Sequence, residues 1–163
     1  MKRVLILGCP GAGKSYFSKK LSEKTGLPAV HMDNLYWSKN KVACDRETLI
    51  KRLEPVLKEE EWIIDGNYHH TLELRLERCT DVFFLDFSRE TCVNGMKERI
   101  GVERDDIPWV ESEEDADELI KWTLDYEEKT RPIELELLAK HPEIHVVVFY
   151  SRSEMDEYLE NLK

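Results

Sequence analysis

Lys14 and Ser15 close the stretch GCPGAGKS, residues 8–15, behind three glycines. That spacing fits G-x-x-x-x-G-K-[ST], the phosphate-binding loop. Its chemistry is anion capture. Glycines let successive backbone N–H groups converge on one point, and the positive end of a following helix adds to them. On this reading Gly8, Cys9, Pro10, Gly11, Ala12, Gly13 and Tyr16 belong to the nucleotide cradle. Lys14 reaches the β- and γ-phosphates, and the Ser15 hydroxyl ligates Mg²⁺. A plain glycine turn between strand and helix is the alternative. The flanks favour the loop, because Val4–Leu7 is a continuous apolar run and helical spacing begins at Lys14. Phe17 and Leu21 share one helical face, and Gly26 with Pro28 forms the stop signal.

In open parallel sheets, ligands bind beyond the carboxyl ends of the strands. Three acids stand at such ends: Asp33 in HMDNLYW, Asp65 in WIIDGNYHH and Asp86 in FFLDFSRE. An acid beside a phosphate loop holds Mg²⁺ directly or through water. Asp65 is the first choice for metal and catalysis, since Gly66 permits a close approach. Asp86 competes with it, or caps the helix that begins near Ser88. Asp33, Tyr36 and Trp37 point to a second substrate, with Gly66 and Asn67 on the same side. Their plainer readings are a turn or cap for Asp33 and core packing for the two aromatics. Phosphoryl transfer also needs positive charge on the moving group. Arg99, Arg104 and Arg131 flank or enter one acidic excursion and are the catalytic candidates; Arg89 is read as solvated. His69, His70, His141 and His145 lack the accompanying ligands of a metal site.

The elements that position these groups follow from the apolar pattern. Strands are expected at Val4–Leu7, Ala29–Met32, Trp62–Ile64, Val82–Leu85 and Ile144–Phe149. Helices are expected near Lys14–Thr25, Arg46–Leu57, Ser88–Ile100, Ala116–Ala139 and Glu154–Leu162, with Pro55 and Pro132 as kinks or boundaries. The alternation implies an α/β fold, a parallel sheet with helices on both faces, in one domain over residues 1–163. Gly101–Glu118 departs from the rhythm: it holds nine acids, Pro108 and Trp109. Excursions of that length are commonly functional, lids among them.

The 163 residues carry 34 acids against 24 Lys and Arg, a formal net charge of −10. That balance argues against a nucleic-acid partner, because phosphate polymers are repelled and no basic block is present. No apolar run reaches the roughly 20 residues of a membrane span. The chain enters a strand at once, so no signal peptide is expected, and four dispersed cysteines suggest neither zinc nor disulfides. A reduced, cytoplasmic protein is expected. Cys9 lies where a helix N-terminus lowers a thiol pKa, although a small loop filler is the better reading.

Together, GCPGAGKS, HMDNLYW, IIDGNY and DVFFLDFSRE resemble the adenylate-kinase-like branch of P-loop kinases over nearly the whole chain. The likeness is nearest to the DNA topology modulation (FlaR-related) proteins. It implies a P-loop NTPase three-layer sandwich with sheet order 2-3-1-4-5 and a lid insertion at about 101–118. ATP would lie across Gly8–Ser15, with the adenine near Arg152 and Ser153. Nucleoside monophosphate kinases follow their Asp-Gly with Phe-Pro-Arg, where this chain has Asn67 and Tyr68. Trp37 stands in the neighbourhood where they place a further arginine, and the lid region has the single Arg104. ATP binding therefore carries over and AMP as acceptor does not. The expected activity is transfer of the γ-phosphoryl group of ATP to a small molecule, nucleosides and nucleotides included. The alternative is a nucleotide-binding regulator that hydrolyses ATP slowly and acts through a partner.

Overall fold

Alternation within the first strand sets the layers. In β1 (Arg3–Gly8) Val4 and Ile6 join one core and Leu5 and Leu7 the other, all four without exposed surface. A strand covered on both faces requires this. The computed structural model describes residues 1–104 and 106–162. After β1 come α1 (Lys14–Thr25), β2 (Ala29–His31), α2 (Met32–Tyr36), α3 (Arg46–Lys58) and β3 (Trp62–Asp65). A 3₁₀ turn (His69–Thr71), α4 (Leu72–Leu76), β4 (Asp81–Leu85) and α5 (Arg89–Arg99) follow. The chain ends with α6 (Glu113–Asp125), a π-helical turn (Tyr126–Thr130), α7 (Arg131–Ala139), β5 (His145–Phe149) and α8 (Arg152–Asn161).

The strands form one all-parallel sheet in the order β2-β3-β1-β4-β5, the expected topology. β1 lies at its centre, pairing Val4 with Ile63 of β3 and Leu5 with Val82 of β4. One face is covered by α1 and α8. There Phe17 meets Phe83 edge-on at 4.9 Å and Phe149 at 5.6 Å, a preferred aromatic geometry. The other face buries Leu49, Leu53 and Trp62 with Ile64 and Phe84. No helix among the described residues is long and apolar enough to cross a membrane.

Two expected elements need correction. The single helix over Ala116–Ala139 is three pieces, starting earlier, at Glu113, inside the 101–118 excursion. Ser112 and Asp115 form a capping box there, with the Ser112 N–H donating to Asp115 Oδ2 at 2.8 Å. Pro132 sits in the first turn of α7, where its missing N–H costs least, whereas α3 runs through Pro55 without ending. Asp86 does not cap α5. Ser88 does, accepting from the Thr91 N–H at 3.2 Å.

α7 also brings a carboxyl into the interior. Glu134 has no exposed surface and accepts from the Tyr126 hydroxyl at 2.6 Å. Burial pushes its pKa up to about 7, against the opposing effects of Tyr126, Lys14, Arg75 and Arg131. The folded state thus holds this proton more tightly than the unfolded chain. The associated stability is full below the unfolded pKa and is lost as pH rises through 7. Thermal melts from pH 5 to 8 should therefore show wild type losing ground to Glu134→Gln as pH rises, by about 3 kcal/mol in total. A pH-independent difference between the two would contradict the burial of this charge.

Candidate active site

The phosphate loop is built by close approach. Gly11 adopts φ 82°, and a Cβ there would collide with the Cys92 carbonyl of α5. Across the same contact lies Gly95, in mid-helix, where a Cβ would run into the Gly11 carbonyl. Glycine weakens a helix interior, so Gly95 makes sense only because the loop must nest on α5. Gly13, at φ 96°, precedes α1 and offers no side-chain cap. The first-turn N–H groups of α1 thus have no capping side chain, as an anion site requires. Lys14 Nζ folds back on the loop, donating to the Gly8 carbonyl at 2.7 Å and the Cys9 carbonyl at 3.0 Å.

Lys14, Ser15 and Tyr16 open into a cavity of about 1110 Å³ that also receives Asp33, Tyr36 and Trp37 from the end of β2. Pro10, Gly11 and Gly13 line it, as do Asp65, Gly66 and Asn67 beyond β3 and Arg99, Arg104 and Arg152 opposite. Gly8, Cys9 and Ala12 lie outside this lining, and all three are buried. A hydrogen bond with Cys92, and then burial, raise the Cys9 thiol pKa rather than lowering it. The small-filler reading of Cys9 fits.

Three of the cavity acids have specific neighbours. Asp65, buried at the end of β3, accepts from His31 Nδ1 at 2.5 Å. Burial alone would depress the His31 pKa, but the Asp65 bond and the charges of Asp65, Asp106 and Asp33 outweigh it and raise it. Asp33 lies in α2 rather than in a loop and accepts from the Tyr68 hydroxyl. Burial raises its carboxyl pKa in spite of that bond. Burial opposes the ionisation of Asp106, yet Ser15 and the Arg104 ion pair beside it hold its pKa low.

The arginines are likewise paired. Arg99 grips Glu111 through Nε and Nη2, and Arg104 binds Asp106 and Glu111. Arg152, at the start of α8, meets Glu98 at 3.3 Å beside Gly95. Arg131 stands apart from the cavity lining, gripping both oxygens of Asp86 at 2.8 and 2.7 Å. That pair removes Arg131 from the arginines brought together around the loop and occupies Asp86, the competitor for the metal. With the Arg99–Glu111 pair, two further links draw the 101–118 segment inward: Lys41 to Asp115 at 2.6 Å, and Trp109 against Trp37 at 6.0 Å between ring centres.

Sequence reasoning missed His31, Arg75, Gly95 and Glu134. An isolated glycine within a helical pattern was a usable signal for Gly95. The other three acquire their roles from partners distant in the chain. No group of three or more His, Cys, Asp and Glu able to hold a metal occurs among the described residues. Mg²⁺ typically uses one or two protein oxygens plus substrate phosphates. Ser15 and Asp65, both lining one cavity beside the loop, fit that demand.

A central strand leading into a glycine loop, a helix N-terminus and sheet order 2-3-1-4-5 define a phosphate-loop α/β fold. Solved structures share it. Shikimate kinase from Bacteroides thetaiotaomicron superposes with a TM-score of 0.65 at 17% identity, covering 99% of this chain and 95% of that one. A gluconokinase from Sinorhizobium meliloti gives 0.60 at 16%, covering 98% and 87%. Among curated sequences, adenylate kinases from Thermotoga neapolitana and Thermotoga maritima are 28% identical over 88 residues. That match covers 53% of this chain and 39% of the relatives' length, so less than half of each relative is represented. No family model matches the chain.

Proposed function

We propose that the protein is an ATP-dependent small-molecule kinase acting on a hydroxyl- or base-bearing acceptor. One observation carries the reading: Lys14 and Ser15 open into the same cavity as Asp33, Tyr36 and Trp37. A donor phosphate and an acceptor can thus meet within one cleft. The bound nucleotide with Mg²⁺ supplies the phosphoryl group and neutralises its charge. Lys14 holds the phosphates, Ser15 and Asp65 hold the metal, and Asp33 accepts from an acceptor hydroxyl or amino group. Tyr36 and Trp37 offer faces on which a flat or apolar acceptor stacks. Neither replaces the bidentate grip of arginine on a terminal phosphate, which disfavours AMP. Residues 101–118 act as a lid, a role the Trp37–Trp109 and Lys41–Asp115 contacts support. The four free cysteines suit a reducing, cytoplasmic setting. The likeness to the DNA topology modulation proteins belongs to this reading through the motifs alone.

ADP release should be measured with adenosine, AMP, shikimate, gluconate and further hydroxylated metabolites as acceptors. Stimulation by a non-phosphorylated acceptor is expected. Asp33→Asn should cut that stimulation up to about 10²-fold, on the scale of a lost hydrogen bond to a charged group, and Trp37→Ala about tenfold, with ATP affinity kept in both. Acceptor-independent turnover would favour a slow ATP-hydrolysing regulator, and robust AMP phosphorylation would overturn the acceptor assignment.

A further inference from the structure

We propose that Arg75 is a positioning residue: it fixes the 66–68 turn and thereby ties the acceptor side of the cavity to the phosphate loop. The proposal rests on the kinase reading only for the naming of those two sides. Arg75, in α4, has no exposed surface, yet its guanidinium is aimed at backbone rather than at a carboxylate. Nη1 donates to the Gly66 carbonyl at 2.7 Å, and Nη2 donates to the carbonyls of Asn67 and Tyr68. Three successive carbonyls converge on one side because the turn is contorted, with φ 113° at Gly66 and 38° at Tyr68. A non-glycine residue in that region persists only when its surroundings hold it there. The fork of an arginine suits this task; the single point charge of a lysine does not.

The turn then delivers two side chains in opposite directions. Asn67 Oδ1 accepts from the Gly8 N–H at 3.3 Å, at the entry to the phosphate loop, while the Tyr68 hydroxyl donates to Asp33. Thr71 assists by donating to the Tyr68 carbonyl at 3.0 Å. Glu134 is the strongest of the charges that support ionised Arg75 against burial. Arg75 Nε and Glu134 Oε1 are both buried without a hydrogen-bond partner among the described residues. A buried cation held by carbonyls, with no ion pair among the described residues, is an expensive way to fill a core. Its return is a fixed turn between the two halves of the site.

The test uses the full chain carrying Arg75→Lys, Asn67→Ala or both, followed by amide hydrogen exchange and by calorimetry with MgATP. In Arg75→Lys, the amides of Gly8 and residues 66–68 should exchange about tenfold faster while those of β4 keep their rates. MgATP affinity should fall about fivefold in each single variant. The double variant should be no weaker than the worse single one, because both act through one link. Uniformly faster exchange, or affinity losses that multiply, would make Arg75 an ordinary core group and overturn the proposal. Should Arg75→Lys fail to fold, Asn67→Ala decides alone: unchanged Gly8 exchange overturns the link, and faster Gly8 exchange with β4 unaffected supports it. Failure of the wild type to bind MgATP would sink the kinase reading separately, since exchange is read without nucleotide.

Discussion

Replacing Lys14 with alanine is expected to lower ATP turnover about 10³-fold, the scale on which a preorganised charge at a transferring group acts. ATP affinity should fall at least tenfold with it. The fold should survive. Lys14 is partly exposed and, among the described residues, donates to the Gly8 and Cys9 carbonyls of its own loop. Two such bonds are worth about 1–2 kcal/mol net, a shift of a few degrees in melting temperature. Calorimetry with ATP and a thermal melt on the same preparation check both halves. Wild-type affinity in a folded Lys14→Ala protein would remove the nucleotide site.

The second large effect belongs to Asp65. Asp65→Asn keeps the shape and the contact with His31 Nδ1 but loses the charge offered to Mg²⁺. Turnover at saturating ATP should drop about 10²-fold, the Mg²⁺ concentration for half-maximal rate should rise, and nucleotide binding in excess chelator should change little. Asp86→Asn is the control. Both oxygens of Asp86 are engaged by Arg131, so its loss should release that arginine and lower stability more than it alters metal dependence. The reverse pattern would exchange the roles of the two acids.

The strand–loop–helix unit around Lys14 was legible because three local signals coincide there: a buried apolar run, glycines at fixed offsets and a switch to helical spacing. All five strands were legible for the same local reason, and the sheet order matched what the resemblance implied. α2 and α4 went unread, since five residues make too few turns to display a period. The π-helical turn had no sequence mark either; Pro132, the nearest one, begins the next helix. Within the site, Lys14, Asp33 and Asp65 stand at element ends, where position alone suggests chemistry. His31 and Arg75 matter through Asp65 and the 66–68 carbonyls, contacts that exist only after the sheet has formed.

The central place of β1 has a consequence for synthesis. Its partners come much later in the chain: Val4 awaits Ile63, and Leu5 awaits Val82. The loop that follows takes shape only against Cys92 and Gly95 of α5. Pairings so distant are slow to form, and a growing polypeptide meets them in the order of translation. The glycine loop thus leaves the ribosome well before the helix against which it takes its shape. A nascent chain halted before α5 carries the full motif and nothing to mould it. The shape of that loop is completed only when one glycine-bearing helix docks.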